Sequence, residues 1–333
     1  VKPPSFFARK RKKAMPTILS ADIGGTNSRF AAFRATDERP LALIRSLWLK
    51  TAAFDSLTAM LTHLGKEGFE VPASTADAVV IAVAGPVTDG TYSQPPNIDW
   101  DIDLDGLTGA LGIKKCALIN DFVAQAFACR SPLMDAARQI LAGTIDHGAP
   151  LAVIGAGTGL GQAALVPLES GGYEALASEG GHTSFPFEST DEIPYMRHLL
   201  EETGEPYIRA ETVVSGPGLS RLHRFFTGET LEPAQVAQGL TAASKILGWL
   251  ARFLGRISRN YALEVLALGG VYIAGGVAAK LPELVTHPEF ERAFRETDVM
   301  GHVLERIPVF LNTDEESGLW GAAMKGRQLL AQE

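Results

Sequence analysis

Residues 17–33 read TILSADIGGTNSRFAAF, and residues 151–168 read LAVIGAGTGLGQAALVPL. Each is an apolar run, a glycine-rich bend and a second apolar run, the pattern of two strands joined by a turn. In the first stretch residues 17–23 make the strand, Gly24-Gly25-Thr26-Asn27 the turn, and residues 28–33 alternate again. In the second, residues 151–154 lead into the glycine loop 155–161, and residues 162–168 are strand-like. One plan used twice, far apart in the chain, points to a duplicated α/β architecture with a cleft between two lobes.

Working outward, residues 43–49 form a further strand, and residues 57–64 have helical spacing. Residues 78–84 are a continuous apolar run, as expected for a strand buried on both faces. Residues 116–119 repeat that pattern and pass at once into the helical pattern of 122–128. The Gly/Pro/His-bearing stretch 143–150 separates the two cycles. Beyond it, a helix over 241–257 carries Ile246, Leu247, Leu250, Phe253, Leu254 and Ile257 on one face, which marks core scaffold. Residues 271–274 are a last buried strand, ending at Gly275-Gly276 and entering a helix at Val277, and residues 315–330 read as a C-terminal helix.

At 333 residues the chain is long for one domain, and 46% hydrophobic with 20% charged residues is enough for sizeable cores. Its net charge of −8 is unevenly spread, because Lys2, Arg9, Lys10, Arg11, Lys12 and Lys13 crowd a start that has no acid. That start reads as a disordered extension or a misassigned upstream start. The remaining body is more acidic than the whole and would repel a phosphate backbone, so nucleic acid is not an expected partner. Small anions must instead be held by local amides and a metal ion. Cys116 and Cys129 are too few for a disulfide framework or a zinc site, which fits a reducing, cytoplasmic compartment. The uncharged stretch 265–279 is broken by two Gly-Gly pairs and is too short to span a bilayer, so no membrane partner is expected.

Four places offer chemistry. Asp22 ends a strand, and the amides of Gly24 and Gly25 lie just beyond it. Glycines let N–H groups approach phosphate oxygens, while a carboxylate can hold a hydrated Mg²⁺. A type I′ or II′ hairpin turn without ligand is the competing reading. In Gly155-Ala156-Gly157-Thr158-Gly159-Leu160-Gly161, Leu160 stands where a dinucleotide-binding loop needs glycine, and no Gly-Lys-Ser/Thr makes a Walker loop. A phosphate-binding turn with the Thr158 hydroxyl remains, beside a purely structural glycine turn. Asn120-Asp121 follows a buried strand, where open α/β sheets place ligands. There Asp121 can take a proton from a substrate hydroxyl, or either residue can simply cap the helix. Glu179, His182 and Glu211 supply the carboxylates and imidazole that read sugar hydroxyls. A Glu179–His182 loop pair, and an exposed charge at Glu211, are the plainer alternatives.

In chain order, residues 22–27, 120–122, 155–161, 179–182, 215–219 and 274–276 together resemble the bacterial glucokinase family, within the superfamily of sugar kinases, actin and heat-shock ATPases. The resemblance runs from about Ile18 to the C-terminal helix. It implies a two-lobed, actin-like ATPase (ribonuclease H-like) α/β fold. The expected organisation is a basic extension over 1–15, a small α/β domain over 16–131 plus 312–333, and a large α/β domain over 132–311. The implied reaction is ATP-dependent phosphorylation of glucose at O6, with Asp121 as general base. Asn97, Asn120, Glu179, His182 and Glu211 would then hold the other hydroxyls. Ala21, Asp22, Ile23, Gly24, Gly25, Thr26, Asn27, Gly157, Thr158 and Gly159 would hold the phosphates, and Gly275 and Gly276 would admit the adenosine. Mg²⁺ would bridge the β- and γ-phosphates, reached by Asp22 through water. The resemblance also suggests a homodimer.

Three other readings stand beside this one, and one of them, an actin-like filament former, would share the phosphate hairpins without needing Glu179, His182 and Glu211. A kinase of the same fold for another hexose or an amino sugar would share every motif, and a non-catalytic sugar-sensing regulator would keep the cleft without needing Asp121. Common to all is the expectation that the two glycine bends face one crevice.

Overall fold

The computed structural model describes residues 15–36 and 40–332; apart from Met15, the expected basic extension lies outside them. Two mixed sheets organise the chain. The first contains Thr17–Ile23 (β1), Asn27–Arg34 (β2), Ala42–Lys50 (β3), Ala78–Val83 (β4) and Cys116–Asn120 (β5), in the order β3-β2-β1-β4-β5. The second contains Arg138–Leu141 (β6), Leu151–Ala156 (β7), Leu160–Pro167 (β8), Tyr173–Ser178 (β9), Val271–Ala274 (β10) and Val309–Leu311 (β11), in the order β9-β8-β7-β10-β11-β6. In both, an antiparallel three-strand meander is followed by two strands parallel to its first member. The repeat seen in the sequence is therefore a repeat of topology. The central strands β4 and β7 are buried along their whole length, as their unbroken apolar runs require.

Helices cover the sheets. Leu57–Lys66 (α1) starts at Ser56, whose hydroxyl accepts from the Ala59 N–H, and buries Leu57, Met60, Leu61 and Leu64. Asp121–Ala128 (α2) leaves the end of β5 and lies between the sheets, with Val123, Ala124 and Phe127 in one core with Val80 and Ala82 of β4 and Val153, Ala163 and Leu165 of β7 and β8. Fully burying side chains such as Val123 or Phe127 stabilises this junction by roughly 1.5–3 kcal/mol each. Gly216–Thr227 (α3) is capped by the Ser215 hydroxyl, and Lys245–Glu264 (α4) forms the centre of the second lobe's core. Gly276–Lys280 (α5) is a single short turn after β10.

Ser317–Ala331 (α6) brings the chain's end back to the first sheet. A Cβ on Gly321 would lie 1.7 Å from the Ala124 carbonyl, so α6 and α2 touch backbone to backbone.

The helix expected over 241–257 is displaced to Lys245–Glu264. Residues 241–244 close a turn of their own, with the Thr241 N–H 2.8 Å from the Ser244 hydroxyl, while buried Tyr261 and Ala262 extend the apolar stripe beyond Ile257. Among the described residues no helix is long and apolar enough to cross a membrane.

Candidate active site

The first glycine turn joins β1 to β2. Neither Gly24 nor Gly25 has a positive φ, so the turn is of neither type I′ nor type II′. Their lack of a side chain answers to space instead. A Cβ on Gly24 would sit 2.9 Å from the Asn27 carbonyl, and one on Gly25 would sit 2.8 Å from Asn97 Cβ. Thr51 braces the turn from behind, its hydroxyl donating to the Gly24 carbonyl at 2.6 Å and its N–H to Thr26 at 3.2 Å. Lys50 Nζ donates to Asn27 Oδ1 at 2.8 Å. Strand register sets Asp22 opposite Arg29, whose Nη1 donates to Asp22 Oδ2 at 3.1 Å while its guanidinium lies over the Trp48 ring. Burial pushes the Asp22 carboxyl up, and the Arg29 charge draws it back in part.

The second glycine turn is closed by the Gly157 N–H donating to the Gly159 carbonyl at 2.8 Å. The first residue of α3 braces it, because the Gly216 N–H reaches the Gly157 carbonyl at 2.8 Å. Thr158 is exposed at the tip. Gly155 and Gly161 make room for the Phe122 ring, and a Cβ on Gly161 would lie 2.0 Å from it. Gly275 has φ 87 and lies so close to β7 that a Cβ would stand 2.6 Å from the Ala156 carbonyl. Asp22, Ile23, Gly24 and Arg29 line one hollow of about 250 Å³ together with Asp121, Phe122 and Gly275. The first bend lines this hollow directly; residues 155–161 of the second do not line it, and Ala156 stands beside Gly275 as a neighbour within the second sheet.

Between the lobes, Asn120 is the N-cap of α2, and Asp121 Oδ1 also accepts from the Phe122 N–H at 2.9 Å. Asn120 Oδ1 accepts from the Phe122 and Val123 N–H groups at 2.8 and 3.3 Å, and its Nδ2 donates to the Gly85 carbonyl at 3.0 Å. Asp121 is the first residue of α2, half-buried, and its carboxyl is pushed up to about 7. The chief cause is burial, then the negative charge of Asp22; the Phe122 N–H opposes both, and Glu179 adds a smaller push.

Glu179, His182 and Glu211, distant in sequence, form one cluster. His182 Nε2 is 3.6 Å from Glu179 Oε2, and its Nδ1 is 3.6 Å from Glu211 Oε1. The other oxygen of Glu211 faces the second glycine turn, where a Cβ on Gly159 would lie 2.7 Å from it. Asn120 and Glu179 both line a larger cavity of about 530 Å³ with Val87, Val123, Phe127 and Lys325. Asn97 is exposed and packs beside Gly25 at the first turn.

The sequence reading did not include Arg209, which donates to Glu211 Oε1 at 2.6 Å, nor Arg29 and Thr51. Counting register back from the four-residue turn finds Arg29 opposite Asp22. Arg209 pairs locally with Glu205 and Glu211, but nothing local brings it to His182, and Thr51 answers to no local pattern.

The arrangement can bind a polyanion between glycine amides, present a basic carboxylate near neutral pH, and surround a polyhydroxylated ligand with acceptors and a ring N–H. Residues 19–329 match the family model described as Glucokinase. A glucokinase of Saccharophagus degradans is 35% identical over 93% of this chain and 98% of its own length. The crystal structure of a glucokinase from an Antarctic psychrotroph superposes with a TM-score of 0.82 at 29% identity, over 94% of this chain and 99% of that one. A ROK family glucokinase from Streptomyces griseus, solved in complex with glucose and AMPPNP, shares the fold with a TM-score of 0.61 at 20% identity, over 94% of this chain and 99% of that one. The match spans both sheets, both glycine turns and the residues between them, and the chain belongs to the glucokinase family.

Proposed function

We propose that the chain transfers the γ-phosphate of ATP to O6 of glucose, with Asp121 as the general base. The observation that carries this reading is the position and basicity of Asp121. It faces the hollow lined by the first glycine turn, the preceding residue lines the larger cavity, and its carboxyl titrates at about 7. A carboxylate of that basicity takes up the hydroxyl proton as O6 attacks phosphorus more readily than an ordinary one. Phosphoryl transfer passes through a loose transition state, so the remaining work is positioning and charge stabilisation. Glycine-turn amides orient the phosphates, and Glu179, His182 and Glu211 orient the sugar. Asn97, beside Gly25, completes the rim between them, and Asn120 holds the start of α2 so that Asp121 points into the crevice.

The residues present suit a magnesium ion. Asp22 is an oxygen donor whose charge is disfavoured by burial, next to a second carboxylate at Asp121, and Mg²⁺ typically takes one or two carboxylates plus substrate phosphates. Asp22 would hold such an ion through water, and the ion would supply charge neutralisation to the phosphates. The same reading takes the enzyme as a cytoplasmic homodimer; Cys116 and Cys129 are both free thiols, and sedimentation velocity tests the assembly.

A coupled assay with Mg-ATP against a panel of hexoses tests the proposal. Glucose should be preferred over mannose, fructose and N-acetylglucosamine. Turnover of none of them would leave a sugar-sensing regulator as the better description.

A further inference from the structure

We infer that Arg209 is a positioning residue that fixes the hydrogen-bond polarity of the sugar cluster, and so sets glucose affinity and selectivity without touching the nucleotide. This inference rests on the reading of Glu179, His182 and Glu211 as the sugar-binding set.

Arg209 has one guanidinium and uses each edge of it. Nε and Nη2 donate to Glu205 Oε1 at 3.2 and 2.6 Å. Glu205 is itself held by the Thr212 hydroxyl at 3.2 Å, so this end is an anchor. The remaining nitrogen, Nη1, donates to Glu211 Oε1 at 2.6 Å and lies 3.3 Å from His182 Nδ1. The backbone of the same segment is tied to the His182 loop. The Ala210 N–H donates to the Thr183 carbonyl and the Phe185 N–H to the Ile208 carbonyl, both at 2.8 Å. The Tyr207 hydroxyl donates to the His182 carbonyl at 3.2 Å. Residues 205–212 therefore form a strap whose one inward cation lies between the imidazole and the carboxylate.

A guanidinium can only donate. When Arg209 donates to it, His182 Nδ1 carries a lone pair, and the ring proton then sits on Nε2, on the side of Glu179. Glu211 Oε1 is occupied by Arg209, which leaves Oε2 as the acceptor for a sugar hydroxyl. The strap thus converts three adaptable side chains into a fixed pattern of one N–H donor and two carboxylate acceptors. A hexose hydroxyl of the wrong orientation then meets like against like, and sites built to pair each hydroxyl reject mismatched analogues most strongly.

The test uses Arg209→Gln and Arg209→Lys in the full chain, with melting temperatures recorded for each. Glucose KM should rise roughly tenfold in Arg209→Gln, the scale of one charge-assisted hydrogen bond, with ATP KM unchanged within about twofold. Mannose should be discriminated against less. Lysine supplies a point charge without a fork, so Arg209→Lys should keep the melting temperature but not the glucose KM. Long-range proton–nitrogen NMR without sugar, with the ring assigned from His182→Gln, should show the proton on Nε2 in the unmodified chain and a tautomer mixture in Arg209→Gln. An Nδ1 proton in the unmodified chain, an unchanged ring in Arg209→Gln, full recovery by lysine, or equal rises in both KM values would each overturn the proposal. Glu211→Gln separates the two levels. If it raises glucose KM while Arg209→Gln does not, the role of Arg209 fails alone. If neither does, the sugar-site reading fails with it.

Discussion

At residue scale, the chemistry concentrates in Asp121. Burial and the neighbouring Asp22 charge hold its carboxyl near 7, so at neutral pH it is divided between acid and base. Since kcat/KM reports the free enzyme, it should rise with pH through about 7 and level off above, in a profile read from initial rates at limiting glucose. Asp121→Asn should lower kcat by roughly 10²–10⁴-fold with little change in glucose KM. The same substitution has a stability consequence of opposite sign. The folded carboxyl titrates at about 7 against an ordinary 3.8, so between those values the folded chain binds more protons and loses stability as pH rises. Asp121→Asn should therefore be more stable at pH 8 by on the order of 2 kcal/mol, after allowance for partial exposure, and no more stable at pH 4. Calorimetry at the two pH values checks this. Gly159 offers a second residue-scale expectation. Its missing Cβ leaves room for Glu211, so Gly159→Ala should raise glucose KM several-fold more than ATP KM, although the glycine belongs to a turn read as phosphate-binding. Equal effects on both would detach Glu211 from that turn.

At the scale of elements, the strands were legible because each carries its own reason. Residues 78–83 and 151–156 are apolar at every position, and only a strand covered on both faces tolerates that in so short a run. Asp22 and Asp121 were legible as strand-end carboxylates, Asp22 one residue before the end of β1 and Asp121 directly after β5, where such sheets open to ligands. Arg209 was not legible as part of the site, because its reach to His182 is set by pairing between residues 183–185 and 208–210, a contact with no periodicity, although Glu205 and Glu211 lie four and two residues away. The start of α4 was misjudged because Thr241 and Ser244 spend their polar groups on a local turn, which apolar spacing alone does not reveal. The close contact of α6 on α2 depends on Gly321 lying against the Ala124 carbonyl. A methyl group there must push the helices apart against backbone. Gly321→Ala should cost about 3 kcal/mol or more in urea unfolding, at the upper end of overpacking, whereas Gly109→Ala, with open space around it, should not.

At the scale of the whole molecule, α2 is shared property. It packs on the first sheet through Val80 and Ala82, and on the second through Val153, Ala163 and Leu165, so the lobes cannot part at α2 without breaking a common core. If the lobes close over a bound sugar, rotation about this helix is the motion expected, with Asp121 at its first turn staying near the axis while the outer rims travel. The Phe122 ring, wedged against Gly155 and Gly161, is where the second sheet bears on that axis. Gly161→Ala would drive a methyl group into the ring and hold the sheet away from α2. Small-angle scattering should show the unmodified chain contracting when glucose is added, and Gly161→Ala contracting less, with glucose KM raised accordingly. Removing the ring as well should relieve the wedge, so Gly161→Ala combined with Phe122→Ala should bind glucose better than Gly161→Ala alone, a non-additivity expected only of residues in contact. If the two substitutions simply add, the second sheet does not bear on α2 through this ring, and the axis of closure lies elsewhere.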